Sequence, residues 1–263
     1  MSLTNKTLKD TYGDLLQMDN SNNGVGTSIK KIKDGSGGGS ALSIADDYVQ
    51  VQPENDDTGN AFKVRNSGGT SIFNVDTDTE VITGAGNIMN TQYAYFGIGN
   101  SFSSNFAANT HYSLPFMGNN HVNTTHDNFA FGTSTDPATT FTTADGSATH
   151  AALIVPCFWY VPDAISIDAV HSIEGADDGT GDTTRMHLFS YTYTSGSTSA
   201  LTGGTLLAHN NDVTNAGSEQ LYTGSWTVDS AAVTAGKVIL GFFRSDSNNS
   251  DYSINMTIKY HLT

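Results

Sequence analysis

From Tyr252 to Tyr260 the residues alternate without a break: Tyr252, Ile254, Met256, Ile258 and Tyr260 fall on one side, and Ser253, Asn255, Thr257 and Lys259 on the other. A period of two puts each set on its own face of an extended chain, so this stretch must be a strand with one face in a core and one in water. Apolar and aromatic runs of similar length recur at 93–98, 110–116, 151–155, 166–173, 185–193, 203–209, 220–222, 225–228 and 237–244, punctuated by Gly, Asn, Asp and Ser. About eight to ten such strands in roughly 170 residues, with no persuasive helix, predict a single antiparallel β-sandwich over 91–263, most simply a jelly roll. A core of that length can stand alone.

Residues 1–90 follow a different rule. Their extended pieces are short: 41–44, 48–52, 61–64, 72–75 and 80–82, separated by turn formers such as Gly37-Gly38-Gly39, Asn55-Asp56-Asp57 and Ser67-Gly68-Gly69. Each piece brings two or three apolar side chains at i, i+2. Ordering a residue costs roughly 1.5 kcal/mol, and so sparse an apolar set cannot offset that for the whole segment. Sister copies can supply what is missing. If three chains wrap a common axis, Leu42 with Ile44, Val49 with Val51, Phe62 with Val64 and Phe73 with Val75 become layers of a shared interior, and neighbours cover the sheet edges. A flexible linker is the competing reading, favoured by the Gly37-Gly38-Gly39 run, but the regular apolar pairs argue for order. Leu8, Tyr12, Leu15 and Leu16 lie at spacings of four, three and one, as on one face of a short helix or along an extended anchoring peptide.

Charge divides the chain near Asn90 as well. Seven of the 11 basic residues precede that point, and Arg185, Lys237, Arg244 and Lys259 alone follow it. The whole chain carries 26 acidic residues and a formal charge of -15, which excludes a phosphate-neutralising role and so a nucleic-acid partner. No apolar run approaches the ~20 residues of a membrane span, and the amino terminus lacks a secretory signature. A soluble chain made in the cytoplasm, without membrane insertion, is expected. The single cysteine, Cys157, forbids an intrachain disulfide and sits among apolar neighbours, which points to a buried, inert thiol.

Three stretches, Leu8-Lys9-Asp10-Thr11-Tyr12-Gly13-Asp14-Leu15-Leu16-Gln17, the piece from Ala61-Phe62-Lys63-Val64 to Ile72-Phe73-Asn74-Val75, and Asp251-Tyr252-Ser253-Ile254 to Tyr260-His261-Leu262, resemble fibre-like structural proteins of marine tailed bacteriophages. The likeness runs over most of the chain. It implies a non-enzymatic homotrimeric virion appendage, made in the host cytoplasm and carried on the capsid or tail. Residues 1–40 would be the attachment segment, with Leu8, Tyr12, Leu15 and Leu16 docking into capsid or tail proteins, 41–90 a trimeric β-shaft, and 91–263 a jelly-roll knob. The knob is also similar to the trimeric jelly rolls of the tumour-necrosis-factor and complement-globular classes, by analogy of fold.

No catalytic signature stands out. There is no Gly-x-Ser-x-Gly elbow and no phosphate-binding Gly-x-x-x-x-Gly-Lys-Ser/Thr loop. Chance carboxylate pairs are too cheap an argument for a glycosidase in so acidic a chain. His121 and His126 are five apart, a spacing that suits neither a zinc helix nor a strand pair, and His111, His187 and His261 in or beside strands could at most line a symmetry axis. Four carboxylates, Glu174, Asp177, Asp178 and Asp182, crowd a loop that lacks the register of a calcium-binding hand, so it reads as a solvated turn. No cofactor or metal is expected. Aromatic and amide-rich segments at 102–109, 118–131 and 245–252 are the surfaces on which a knob could touch host-surface glycans, the alternative role as a receptor-binding tip.

Overall fold

A computed structural model describes residues 15–21, 23–55, 59–85, 87–98, 107–117, 129–143, 150–177, 180–216, 219–247 and 251–263. The chain is all-β and antiparallel, and it divides into two compact units, one ending at Met89 and the other running Asn90–Thr263.

The first unit holds two separate four-stranded meanders. β1 (Gln17–Met18), β2 (Lys30–Lys33), β3 (Gly39–Ile44) and β4 (Val49–Val51) form one, and β5 (Phe62–Arg65), β6 (Ser71–Asp76), β7 (Val81–Gly84) and β8 (Asn87–Ile88) the other. Short polar side chains set the turns. Asp34 Oδ1 accepts the Ser36 and Gly38 amides at 2.9 and 2.7 Å between β2 and β3, and Asn66 Oδ1 accepts the Thr70 amide at 2.9 Å between β5 and β6. Gly69 in the latter turn has φ +84°, a conformation that costs glycine nothing. β1 and the lysine-rich β2 escape a hydrophobic-pattern reading because β1 is held by backbone pairing to β2 and β2 by pairing to β3, with the Lys33–Asp19 ion pair at 2.7 Å beside them.

The second unit is the sandwich. β9 (Thr91–Ile98), β12 (Ile165–Asp177), β16 (Gln220–Gly224) and β20 (Asp251–Leu262) form one sheet in the order β16-β12-β20-β9, with β18 (Ala232–Val233) beside β12. The other runs β10 (Tyr112–Leu114), β19 (Lys237–Ser245), β13 (Thr183–Tyr193), β14 (Leu201–Asn210) and β17 (Trp226–Val228), with β11 (Trp159–Tyr160) and β15 (Val213–Thr214) attached. The chain crosses between the sheets several times, from β9 to β10, from β12 to β13 and at each step from β15 to β20, while β13 and β14 stay together as a hairpin of one sheet.

Strand periodicity divides the buried side chains into two cores. Between the sheets, Phe96, Ile254, Met256 and Ile258 meet Met186, Leu188, Ile239 and Phe243. The intervening positions of β13 and β19, namely Phe189, Tyr191, Val238, Leu240 and Phe242, face the opposite way and are covered by Phe129, Phe131, Phe141, Ile154 and Cys157 from the long β10–β11 connection. One sheet is therefore buried on both faces, which explains the unbroken apolar run of 238–243. The expected strand at 151–155 is instead a helical turn, α1 (His150–Leu153), followed by a 3-10 turn at Val155–Cys157 containing Pro156. An apolar run this short fits either period, and proline removes the amide a strand ladder would need.

Candidate functional site

The apolar side chains of the first unit line up by register. Leu42 pairs with Val51 and Ile44 with Val49, so all four share one face of the first meander. Phe62 pairs with Val75, Val64 with Phe73, and Val75 with Ile82, which gathers the second set on one face of the other meander. The Phe62 and Phe73 rings meet edge-on with centroids 6.1 Å apart. Among the described residues nothing covers either face. Phe62 is 46% exposed and Val49 65%, while Ile44, Phe73 and Val75 are half-buried. Among the described residues of this unit no side chain of any kind is buried.

Of the four residues assigned to docking, Leu15 and Leu16 are exposed, Leu16 at 76%, just ahead of β1. Leu8 and Tyr12 lie outside the described residues.

The sandwich relocates several residues that the sequence offered as ligands. His111 and His187 do not line an axis; both are buried inside the second unit, with ring centroids 4.9 Å apart in an edge-on contact. His111 Nε2 faces the Ser134 carbonyl at 2.9 Å and so carries the hydrogen, and Asp136 Oδ1 approaches His187 Nε2 at 3.4 Å. Burial disfavours the charged form of each, and the neighbouring His111 and Arg185 add to this for His187, whose pKa falls to about 3. His261 Nδ1 is bonded to Asp168 Oδ1 at 2.8 Å, at the bulge where β12 slips register against β20.

Glu174 is likewise no part of a solvated turn. β12 continues through it to Asp177, and its side chain points into the interior, 1% exposed. The Thr184 hydroxyl contacts both carboxyl oxygens, at 2.8 and 2.7 Å. One hydroxyl carries one hydrogen, so the second contact is a hydrogen bond only when the carboxyl is itself protonated. Burial raises the Glu174 pKa to about 7, in keeping with that arrangement. Among the described residues no three His, Cys, Asp or Glu side chains are placed to hold a metal. His121, His126 and Asp178 are outside those residues, as is much of the sequence at 102–109, 118–131 and 245–252 proposed for sugar contact. Cys157 is buried, and desolvation pushes its thiol up to about 11.

No protein-family model matches the chain, and no curated protein matches it. Among solved structures, an aminopeptidase from the marine sediment archaeon Thaumarchaeota archaeon aligns with 73% of this chain at 7% identity and a TM-score of 0.33. The aligned part is 40% of that structure's length. A likeness that weak bears on neither fold nor activity.

Proposed function

We propose that the chain is a non-enzymatic structural protein of a bacteriophage virion, a homotrimeric fibre or decoration anchored by its amino-terminal unit with the sandwich projecting as a knob. One observation carries this reading. The unit ending at Met89 is folded into two meanders, yet none of its described residues is buried, and most of its apolar strand side chains, Ile72 apart, crowd one face of each sheet. A meander whose apolar face stays in water gains little burial to offset the roughly 1.5 kcal/mol that ordering each residue costs. Three copies that share those faces convert exposed surface into a common interior, with Leu42, Ile44, Val49, Val51, Phe62, Val64, Phe73 and Val75 as its layers. The sandwich needs no such help, since it encloses two cores of its own.

The attachment role of Leu15 and Leu16 follows from the same logic: large apolar side chains held out beside β1 are suited to a socket in a capsid or tail protein. Mass measurement of the full chain at micromolar concentration tests the assembly, with a trimer expected and a monodisperse monomer overturning it. Imaging of purified particles with labelled chain then places it on the capsid or the tail.

A further inference from the structure

The alternation that buries Ile254, Met256 and Ile258 turns Ser253, Asn255, Thr257 and Lys259 outward, and register carries those positions across the sheet. Tyr93 of β9, Lys259 and Ala169 of β12 stand abreast, then Tyr95, Thr257 and His171, then Gly97, Asn255 and Ile173, with Thr223 of β16 beyond. The outer face is therefore aromatic along β9 and rich in hydroxyl and amide groups along β20. Tyr93 and Tyr95 are 53% and 42% exposed, about 7 Å apart along the strand. Two hollows of about 470 and 210 Å³ adjoin at Ile173 and Asn255, which line both. Gly97 keeps the larger one open, since a Cβ there would come 2.6 Å from the Ile254 carbonyl oxygen.

We propose that this face binds an acidic polysaccharide, with pyranose rings laid on Tyr93 and Tyr95, sugar hydroxyls paired with Asn255 and Thr223, and a uronate carboxylate at Lys259. Three observations select that ligand. First, a pyranose offers an apolar C–H face and a rim of hydroxyls, the complement of exposed aromatic rings beside amide and hydroxyl groups. Thr257 Oγ1 donates to Asn255 Oδ1 at 3.3 Å, and among the described residues the Asn255 amide hydrogens have no acceptor. Second, Lys259 is uncommitted. Of the four basic residues after Asn90, Arg185 pairs with Asp212, Lys237 donates to the Thr192 hydroxyl and Arg244 to Asn109, whereas among the described residues Lys259 has no such partner. Asp168, next to Ala169, is bonded to His261, and the acidic strand positions Asp177 and Asp251 lie eight residues along β20 from Lys259, roughly 27 Å away. Repulsion from the chain's charge of -15 is screened beyond ~8 Å in salt, so the local lysine decides. Third, an extended peptide has no strand edge to join here, because the Gly97 amide donates to the Pro115 carbonyl at 3.0 Å and the Met117 amide to the Tyr95 carbonyl at 2.7 Å. Every residue invoked belongs to one copy of the sandwich, so the site does not depend on how many copies assemble.

Isothermal titration calorimetry of the full chain with two uronate hexamers, one of mannuronate and one of galacturonate, and with a neutral glucose hexamer tests the proposal. At least one uronate hexamer should bind saturably and more tightly than the neutral one. Tyr95→Ala should weaken that binding by about tenfold, the loss of one stacking contact. Lys259→Met should weaken it by about fivefold and leave the neutral hexamer unaffected. Tyr160→Ala removes an exposed ring from the other sheet and should bind as the parent does. Near-ultraviolet dichroism confirms that each variant is folded, and Tyr93→Ala carries the same expectation should Tyr95→Ala fail to fold. No saturable heat with either uronate hexamer at millimolar concentration, a neutral hexamer bound at least as tightly, or an affinity unmoved by the tyrosine and lysine substitutions overturns the proposal. None of these outcomes bears on the trimer, which mass measurement reads separately.

Discussion

Replacing Phe62 by aspartate separates a shared interior from a merely exposed side chain. In one copy Phe62 is 46% exposed and touches Phe73 edge-on, so a single chain loses little by the change. A phenylalanine buries roughly 150–250 Å² when fully enclosed, which leaves about 100 Å² for sister copies to cover. At about 25 cal/mol per Å² that is about 2.5 kcal/mol per copy and about 7 kcal/mol for three. A factor of ten costs about 1.4 kcal/mol, so the trimer association constant should fall by about 10⁵ from lost burial alone, before the penalty of three carboxylates around one axis. Analytical ultracentrifugation of the full chain across nanomolar to micromolar concentrations reads this directly. Gln50→Asp adds the same charge to the opposite side of β4 from Val49 and Val51, and it should leave the assembly unchanged. If Phe62→Asp sediments as the parent does over that range, the side chain is not in a common core and the shaft argument fails.

Other expectations concern the sandwich. Glu174 takes up its proton at a higher pH when folded than when unfolded, about 7 against 4.5, so its contribution to stability is complete below pH 4.5 and is lost as pH rises through 7; Glu174→Gln should flatten that loss, of about 3 kcal/mol, in thermal melts followed by near-ultraviolet dichroism. His187 runs the other way, because its folded value of about 3 lies below the unfolded 6.5: its contribution is complete above pH 6.5 and is lost as pH falls toward 3, so His187→Phe should weaken the acid-side fall in melting temperature. Gly241→Ala should destabilise the knob by about 1–3 kcal/mol in urea unfolding, since the added Cβ would lie 2.9 Å from the root of the Phe96 ring across the sandwich. Cys157 should not react with a thiol reagent until denaturant exposes it, and labelling of the native protein at the rate of a free thiol would contradict its burial.

The period-two alternation at 252–260 was enough to assign β20 and its inward face, because the direction of a strand side chain follows from backbone geometry alone. The same local rule put Leu42 with Ile44 and Phe62 with Val64 on common faces, and the apolar neighbours of Cys157 marked it as a buried thiol. The apolar poverty of the first 90 residues was likewise visible as composition, and the absence of any buried described residue there is its structural counterpart. What the sequence alone could not settle depends on partners distant along the chain. Glu174 looked like one carboxylate of a solvated loop until β12 extended past it and Thr184, arriving from β13, met both its oxygens. His111 and His187 are separated by 75 intervening residues and meet only because β10 and β13 both pair with β19. Among the described residues one sheet is buried twice because 129–143 and 150–157 bring Phe129, Phe131, Phe141, Ile154 and Cys157 over β13 and β19, a choice among surfaces of similar local pattern that only long-range packing can make.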